Sequence, residues 1–321
     1  MDAVVSAVRA LQWDQAETGL LGLTAIRLVA ILFGRQRWLA VHCAANVALG
    51  LAYLVAPKHL IRTQLVGGKV DDLHVFLLRF VGVNLIGNAI GCFLNRKSTD
   101  ERAIAGRLFG NMITQVVLLI ADGSSAYTLW GRKGIRLNSK FLFLTVGGQT
   151  VELAGTLFYL LRCKESAPAV QRPGWLTSGF LLDNFGQTIF GLLHFAFPTQ
   201  ILKFAMKAKY TVDGVHLLAT RLMAAHAFGE AAASMSTPLC RDESSKRNHI
   251  YGRLVTQAGV FLLDLYGHFY ADVFGPYHVT PFMLAGFYIT FLLSLLFHTA
   301  NVAAASTTAS GNGQRRKAHD D

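Results

Sequence analysis

His226 and Glu230 stand four residues apart within an apolar stretch of the chain. At that spacing an imidazole and a carboxylate share one helix face. Such a pair can relay a proton, act as acid and base, or ligate a metal with help from another helix. Arg221 precedes His226 by five residues, and the set has a counterpart 142 residues earlier in Arg79, Asn84 and Asn88. The same positions are amides in one copy and titratable groups in the other.

Four arginines (Arg79, Arg107, Arg221, Arg253) and four acids (Glu152, Asp183, Glu230, Asp264) fall inside long apolar stretches. Ionisable groups there are costly and face protein or water rather than lipid. Their balance suggests pairing, since an unpaired buried charge is the expensive case. Depth counted at about 1.5 Å per residue predicts two polar layers. One holds Arg107 and Arg253 with Asp183, Glu152 and Glu230. The other holds Arg79 and Arg221 with Asp264. These eight residues, with Asn84, Asn88 and His226, can line a path for a small anionic or protonatable ligand, the arginines suiting an anionic group. They can equally be polar contacts that hold a bundle together, with arginines near helix ends reaching for headgroups. If the protein is an enzyme, His226 and Glu230 are its acid and base. No cofactor or metal is expected, because no Walker motif, nucleophile elbow, His-Glu-x-x-His or paired Cys-x-x-Cys is present.

The elements that position these residues are long and apolar. Of 321 residues, 52% are hydrophobic and 15% charged, against about 25% charged in soluble domains. Eight blocks approach the roughly 20 residues that cross a bilayer: 38–56, 73–94, 103–121, 139–161, 176–197, 215–236, 251–272 and 276–299. The class is all-α, a polytopic transmembrane bundle. Residues 19–34 form a shorter stretch interrupted by Arg27 and are expected to lie at the membrane interface.

The chain also repeats itself. Pro57 and Pro198 close apolar stretches 141 residues apart. Upstream, His42, Asn46 and Tyr53 align with Asp183, Gln187 and His194. Downstream, Asp71 aligns with Asp213, and Gly106-Arg107-Leu108 with Gly252-Arg253-Leu254. At about 100° per residue, His42, Asn46 and Tyr53 fall within an arc of roughly 40°, as do their partners. Two four-span halves, each an even number of spans, run in the same direction, and membrane proteins built this way place a site between the halves. The expected organisation is an N-terminal segment 1–37, a first repeat 38–161, a linker 162–175 with Pro168 and Pro173, a second repeat 176–299, and a disordered basic tail 300–321.

The net charge of +11 comes mainly from loop Lys and Arg, which fix topology; no basic helix interleaved with aromatics points to nucleic acid. With eight spans, the side holding both termini (side A) collects 16 Lys and Arg, Arg27 included, and the opposite side B collects 10. That bias places side A, with both termini, in the cytoplasm. Asp2, Asp14 and Glu17 do not fit a basic signal or transit segment. The four scattered cysteines make no disulfide framework.

The stretch from Leu54 to Ala121 resembles the core of the small four-span membrane proteins called tumor protein p53-inducible protein 11. The resemblance rests on a proline that ends one span (Pro57), an arginine that opens the next (Arg79), a small residue after it (Gly82) and a further arginine opening the third (Arg107). The second copy supplies Pro198, Arg221, Ala224 and Arg253. Those proteins are single four-span units, whereas this chain reads as two. The resemblance implies a multi-pass membrane protein linked to growth control and no reaction. The functional expectation is an integral membrane protein acting as a non-catalytic component or regulator. The alternatives are a transporter or channel with its site between the repeats, and an intramembrane lipid-modifying enzyme. Its expected partners are the lipid bilayer and proteins of unknown identity.

Overall fold

Two prolines break the chain in the same way. Helix α2 (Arg35–Val55) ends at Ala56 (φ −124°, ψ 42°) and helix α7 (Trp175–Ala196) at Phe197 (φ −123°, ψ 42°). Pro57 and Pro198 follow, each opening an eight-residue helix, α3 (Pro57–Gln64) and α8 (Pro198–Ala205). Proline lacks the N–H that would continue the earlier helix, but its fixed φ suits the first position of a new one. Next come α4 (Asp72–Asn95) and α9 (Gly214–Ser236), capped by Asp71 and Asp213 in capping boxes whose third residues are His74 and His216.

The computed structural model describes residues 14–66, 70–129, 136–164, 174–277 and 279–317; most of the expected linker lies outside them. The other helices are α1 (Gln15–Ala30, prolonged by a 3-10 turn Ile31–Phe33), α5 (Glu101–Leu129), α6 (Ser139–Leu160), α10 (Glu243–Phe269) and α11 (Val279–Lys317). The segment expected to be disordered from residue 300 thus lies within α11 as far as Lys317. Strands β1 (Leu65–Val66) and β2 (Arg136–Leu137) form one short antiparallel pair.

Among the described residues, six helices are long and apolar enough to cross a membrane: α1 with its 3-10 turn, α2, α4, α5, α6 and α11. They mark an integral membrane protein, and the outer ones expose Ile26, Leu28, Phe287 and Phe297 as a lipid-facing surface would. Five of the eight predicted spans are in this set. The other three, α7, α9 and α10, are not in this set; they carry Asp183, Arg221, Glu230, Arg253 and Asp264, and all five of these are inside the bundle or at its edge.

The centre is made by α4 and α9, which pack against each other. Helix α2 lies on α4, and α7 on α9. The next helices cross over: α5 packs along α9 with little contact to α4, and α10 packs along α4. Helices α6 and α11 lie outside α5 and α10. Helices α1–α6 and α7–α11 therefore interleave.

Close crossings make this possible. A Cβ on Gly87 would lie 1.8 Å from Thr256 Oγ1, and one on Gly229 would lie 1.8 Å from Thr114 Oγ1. Gly87 therefore faces α10, inside the protein, and the backbone of Gly91 lies against Gly252 of the same helix.

Helix α1 departs from the interfacial expectation. It runs beside α6: Asn138 Nδ2 donates to Glu17 Oε1 (3.1 Å) at one end, and the Tyr159 hydroxyl donates to the Ile31 carbonyl (2.7 Å) at the other. An interfacial helix would carry Arg27 to the headgroups. Arg27 is instead buried against Glu152 and Asn46.

Candidate functional site

Arg27, Arg107 and Arg253 meet Glu152, Glu230 and Asp183 in three buried centres. In the first, Glu152 on α6 accepts from Gln115 Nε2 (2.6 Å), lies 3.1 Å from Arg27 Nη1, and lies 3.2 Å from His42 Nδ1. His42 Nε2 faces the amides of Asn46 and Asn111, both at 3.2 Å. With two amide donors on Nε2, the ring proton belongs on Nδ1, facing the carboxylate.

In the second centre, Arg107 on α5 donates to Glu230 on α9 (3.1 Å). Gly91 makes room for that guanidinium, since a Cβ there would lie 2.7 Å from Nη2. Asn88, oriented to satisfy both its amide atoms, donates to Glu230 Oε1 (2.8 Å) and accepts from His226 Nδ1 (3.2 Å). The His226 and Glu230 pair is thus brought together with its first-half counterpart Asn88, while Asn84 donates to the Phe80 carbonyl (2.9 Å).

In the third, Arg253 on α10 donates to Asp183 Oδ1 on α7 from Nε (3.3 Å) and Nη2 (3.2 Å). The Tyr288 hydroxyl (2.6 Å) and the Ser234 hydroxyl also donate to Asp183.

Of the residues predicted to share a layer, Arg107 pairs with Glu230 and Arg253 with Asp183, while Glu152 takes Arg27. The predicted layer of Arg79, Arg221 and Asp264 does not form. Arg79 Nε donates to the Leu54 carbonyl (3.1 Å) and Arg221 Nε to the Phe195 carbonyl (3.4 Å). Those carbonyls lie in the last turns of α2 and α7, where the following proline leaves acceptors without an intrahelical donor. The two arginines cap helix ends. Asp264 is buried and makes no ion pair among the described residues.

Sequence reasoning missed a fourth cluster, at the N-terminal ends of α4 and α9. The capping boxes of α4 and α9 meet face to face. The His74 and His216 rings stack with centroids 3.6 Å apart. Each Nδ1 accepts from the backbone N–H of its own cap residue, Asp71 or Asp213, at 3.2 Å. Each Nε2 reaches the other half's carboxylate: His74 to Asp213 (3.1 Å) and His216 to Asp71 (3.2 Å). Two Asp-x-x-His motifs thereby clasp α4 to α9. The usable signal was the equal shift of 142 residues between Asp71 and Asp213 and between His74 and His216.

Burial pushes both carboxyls up, but hydrogen bonds from His216 and His74 outweigh it and hold Asp71 and Asp213 well below the usual carboxylate range. A depressed carboxylate contributes stability that is complete above its unfolded value of about 3.9 and is lost as pH falls towards the folded one. The melting temperature of the intact protein should therefore exceed that of Asp71→Asn by a steady margin between about pH 5 and 6.5; the margin should narrow below about pH 4, and again as pH rises towards 9, because Asp213 and Asp71 together hold His74 up to about 9. Thermal melts across that range check it.

Residues 40–296 match the family model described as Domain of unknown function (DUF8292). The chain belongs to the DUF8292 family. No curated protein and no solved structure matches the chain. The DUF8292 match runs from within α2 to within α11, so it includes the clasp and the ion pairs Arg107–Glu230 and Arg253–Asp183. Helix α1, which brings Arg27 to Glu152, lies before it.

Proposed function

We propose that this protein is a non-catalytic membrane component whose embedded charges lock its helices together and whose work is done through protein partners. The observation that carries this reading is the commitment of three buried acids to arginines. Glu152, Asp183 and Glu230 each hold a buried arginine delivered by a different helix. Two cavities near the polar centres leave about 10 Å³ each for water centres, the room of about one molecule. A conduction path needs groups free to exchange partners, and acid–base chemistry at His226 and Glu230 needs space for a substrate beside them.

In this reading α2–α6 and α7–α11 are two copies of one unit. Support comes from the paired proline breaks, the matched Asp-x-x-His caps and the matched arginine caps of α2 and α7. Helices α7, α9 and α10 then cross the membrane with the six apolar ones. Their 22, 23 and 27 residues are long enough for a core about 30 Å thick at 1.5 Å per residue. With α1 crossing beside α6, the N-terminus moves to side B. Moving Arg9 across and taking Arg27 into the bundle leaves 14 Lys and Arg on side A and 11 on side B. The C-terminus stays cytoplasmic and the N-terminus lies opposite.

Purified protein in liposomes tests the reading. Proton and chloride flux should equal that of protein-free vesicles. Sustained flux that disappears in Glu230→Gln overturns the proposal in favour of transport.

A further inference from the structure

The clasp between α4 and α9 has the chemistry of a metal site, and this goes beyond the locked-bundle reading. Asp71 Oδ1 lies 2.8 Å from His74 Nδ1 and 3.2 Å from His216 Nε2. Donor atoms of Asp71, His74 and His216 all fall within 4.8 Å of one another. The Asp213 carboxylate lies 3.1 Å from the other nitrogen of that ring, His74 Nε2, and so orients the imidazole from behind without joining the donor set. Separations of this size approach the edge of about 3.3 Å of a tetrahedron whose centre lies about 2.0–2.1 Å from each ligand.

We propose that Asp71, His74 and His216 bind one divalent transition-metal ion of the zinc class, with Asp213 holding the far nitrogen of His74. Two imidazoles and a carboxylate suit such borderline cations, whereas calcium and magnesium prefer all-oxygen sets. The two carboxylates offset the ion's charge. The imidazoles are buried, with side chains 2% and 0% exposed, while the Asp71 and Asp213 side chains are 31% and 22% exposed and give an entry from side B. Binding requires the rings to part from their stack, because lone pairs in near-parallel planes do not meet at one point. It also releases the Asp71 N–H that His74 Nδ1 accepts.

Full-length protein in detergent, stripped with chelator, is titrated with Co2+. The expected result is saturable uptake of about one ion per chain, visible ligand-field bands, displacement by Zn2+, and a melting temperature raised by the ion and lowered again by chelator. Asp213→Asn, which keeps the shape of the cap, should weaken uptake about tenfold or more. Absence of saturable uptake by the intact protein overturns the proposal, as does uptake unchanged in a folded His74→Gln/His216→Gln variant. The clasp is then held by hydrogen bonds alone.

Discussion

Arg253→Met is expected to be among the most damaging single changes in this protein, lowering stability by roughly 3–5 kcal/mol. Arg253 and Asp183 are each only 1% exposed. Without the guanidinium, Asp183 keeps its hydrogen bonds from Tyr288 and Ser234 but loses its cation. An ionised carboxylate left unpaired in a low-dielectric interior is what makes half of a broken ion pair costly. Replacing both partners is a different experiment, because apolar residues of similar volume can substitute for a buried pair. Arg253→Met with Asp183→Leu should therefore recover a large part of the loss. Denaturation of the two single variants, the double variant and the parent, run as a cycle, measures the coupling. Additive losses would show that the pair does not act as a unit.

Gly252→Ala is the second large effect. A Cβ at Gly252 would lie 2.8 Å from Gly91 Cα, 2.9 Å from Gly91 N and 3.0 Å from the Gly87 carbonyl oxygen. All three atoms are backbone, so no side chain can turn aside and α10 must move away from α4. Overpacking of this kind costs about 1–3 kcal/mol. The shift also loosens the α4–α10 contact on which the interleaving of the halves depends. Gly286→Ala is the control: nothing lies within 4 Å of the added methyl, so the change should be neutral or stabilising by about 0.5–1 kcal/mol. Comparison of melting temperatures for the two variants decides whether the contact or helix propensity governs the result.

The polar clusters differ in how plainly the chain announced them. Arg107 with Glu230 and Arg253 with Asp183 were legible, because charges in apolar blocks must find partners and helix counting placed them at like depth. Arg79 and Arg221 were legible as a matched pair but not in their role. Each serves a carbonyl in the turn that precedes Pro57 or Pro198, a contact across about 25 residues that no local pattern reports. Arg27 was misplaced because a lone arginine in a short apolar stretch fits an interfacial helix equally well. Only the proximity of Glu152 on α6 separates the two readings.

The sequence by itself determined the class of protein, the helical segments, their breaks at Pro57 and Pro198, and the need for its embedded charges to pair. Those follow from local chemistry: apolar length, the missing proline N–H, and the cost of an unpaired charge in a low dielectric. Tertiary structure alone decided that α5 crosses to α9 and α10 to α4, because that choice depends on which glycine faces admit a neighbouring backbone. It also decided that two capping boxes meet as a clasp, since each histidine completes its bonding only with the other half's aspartate.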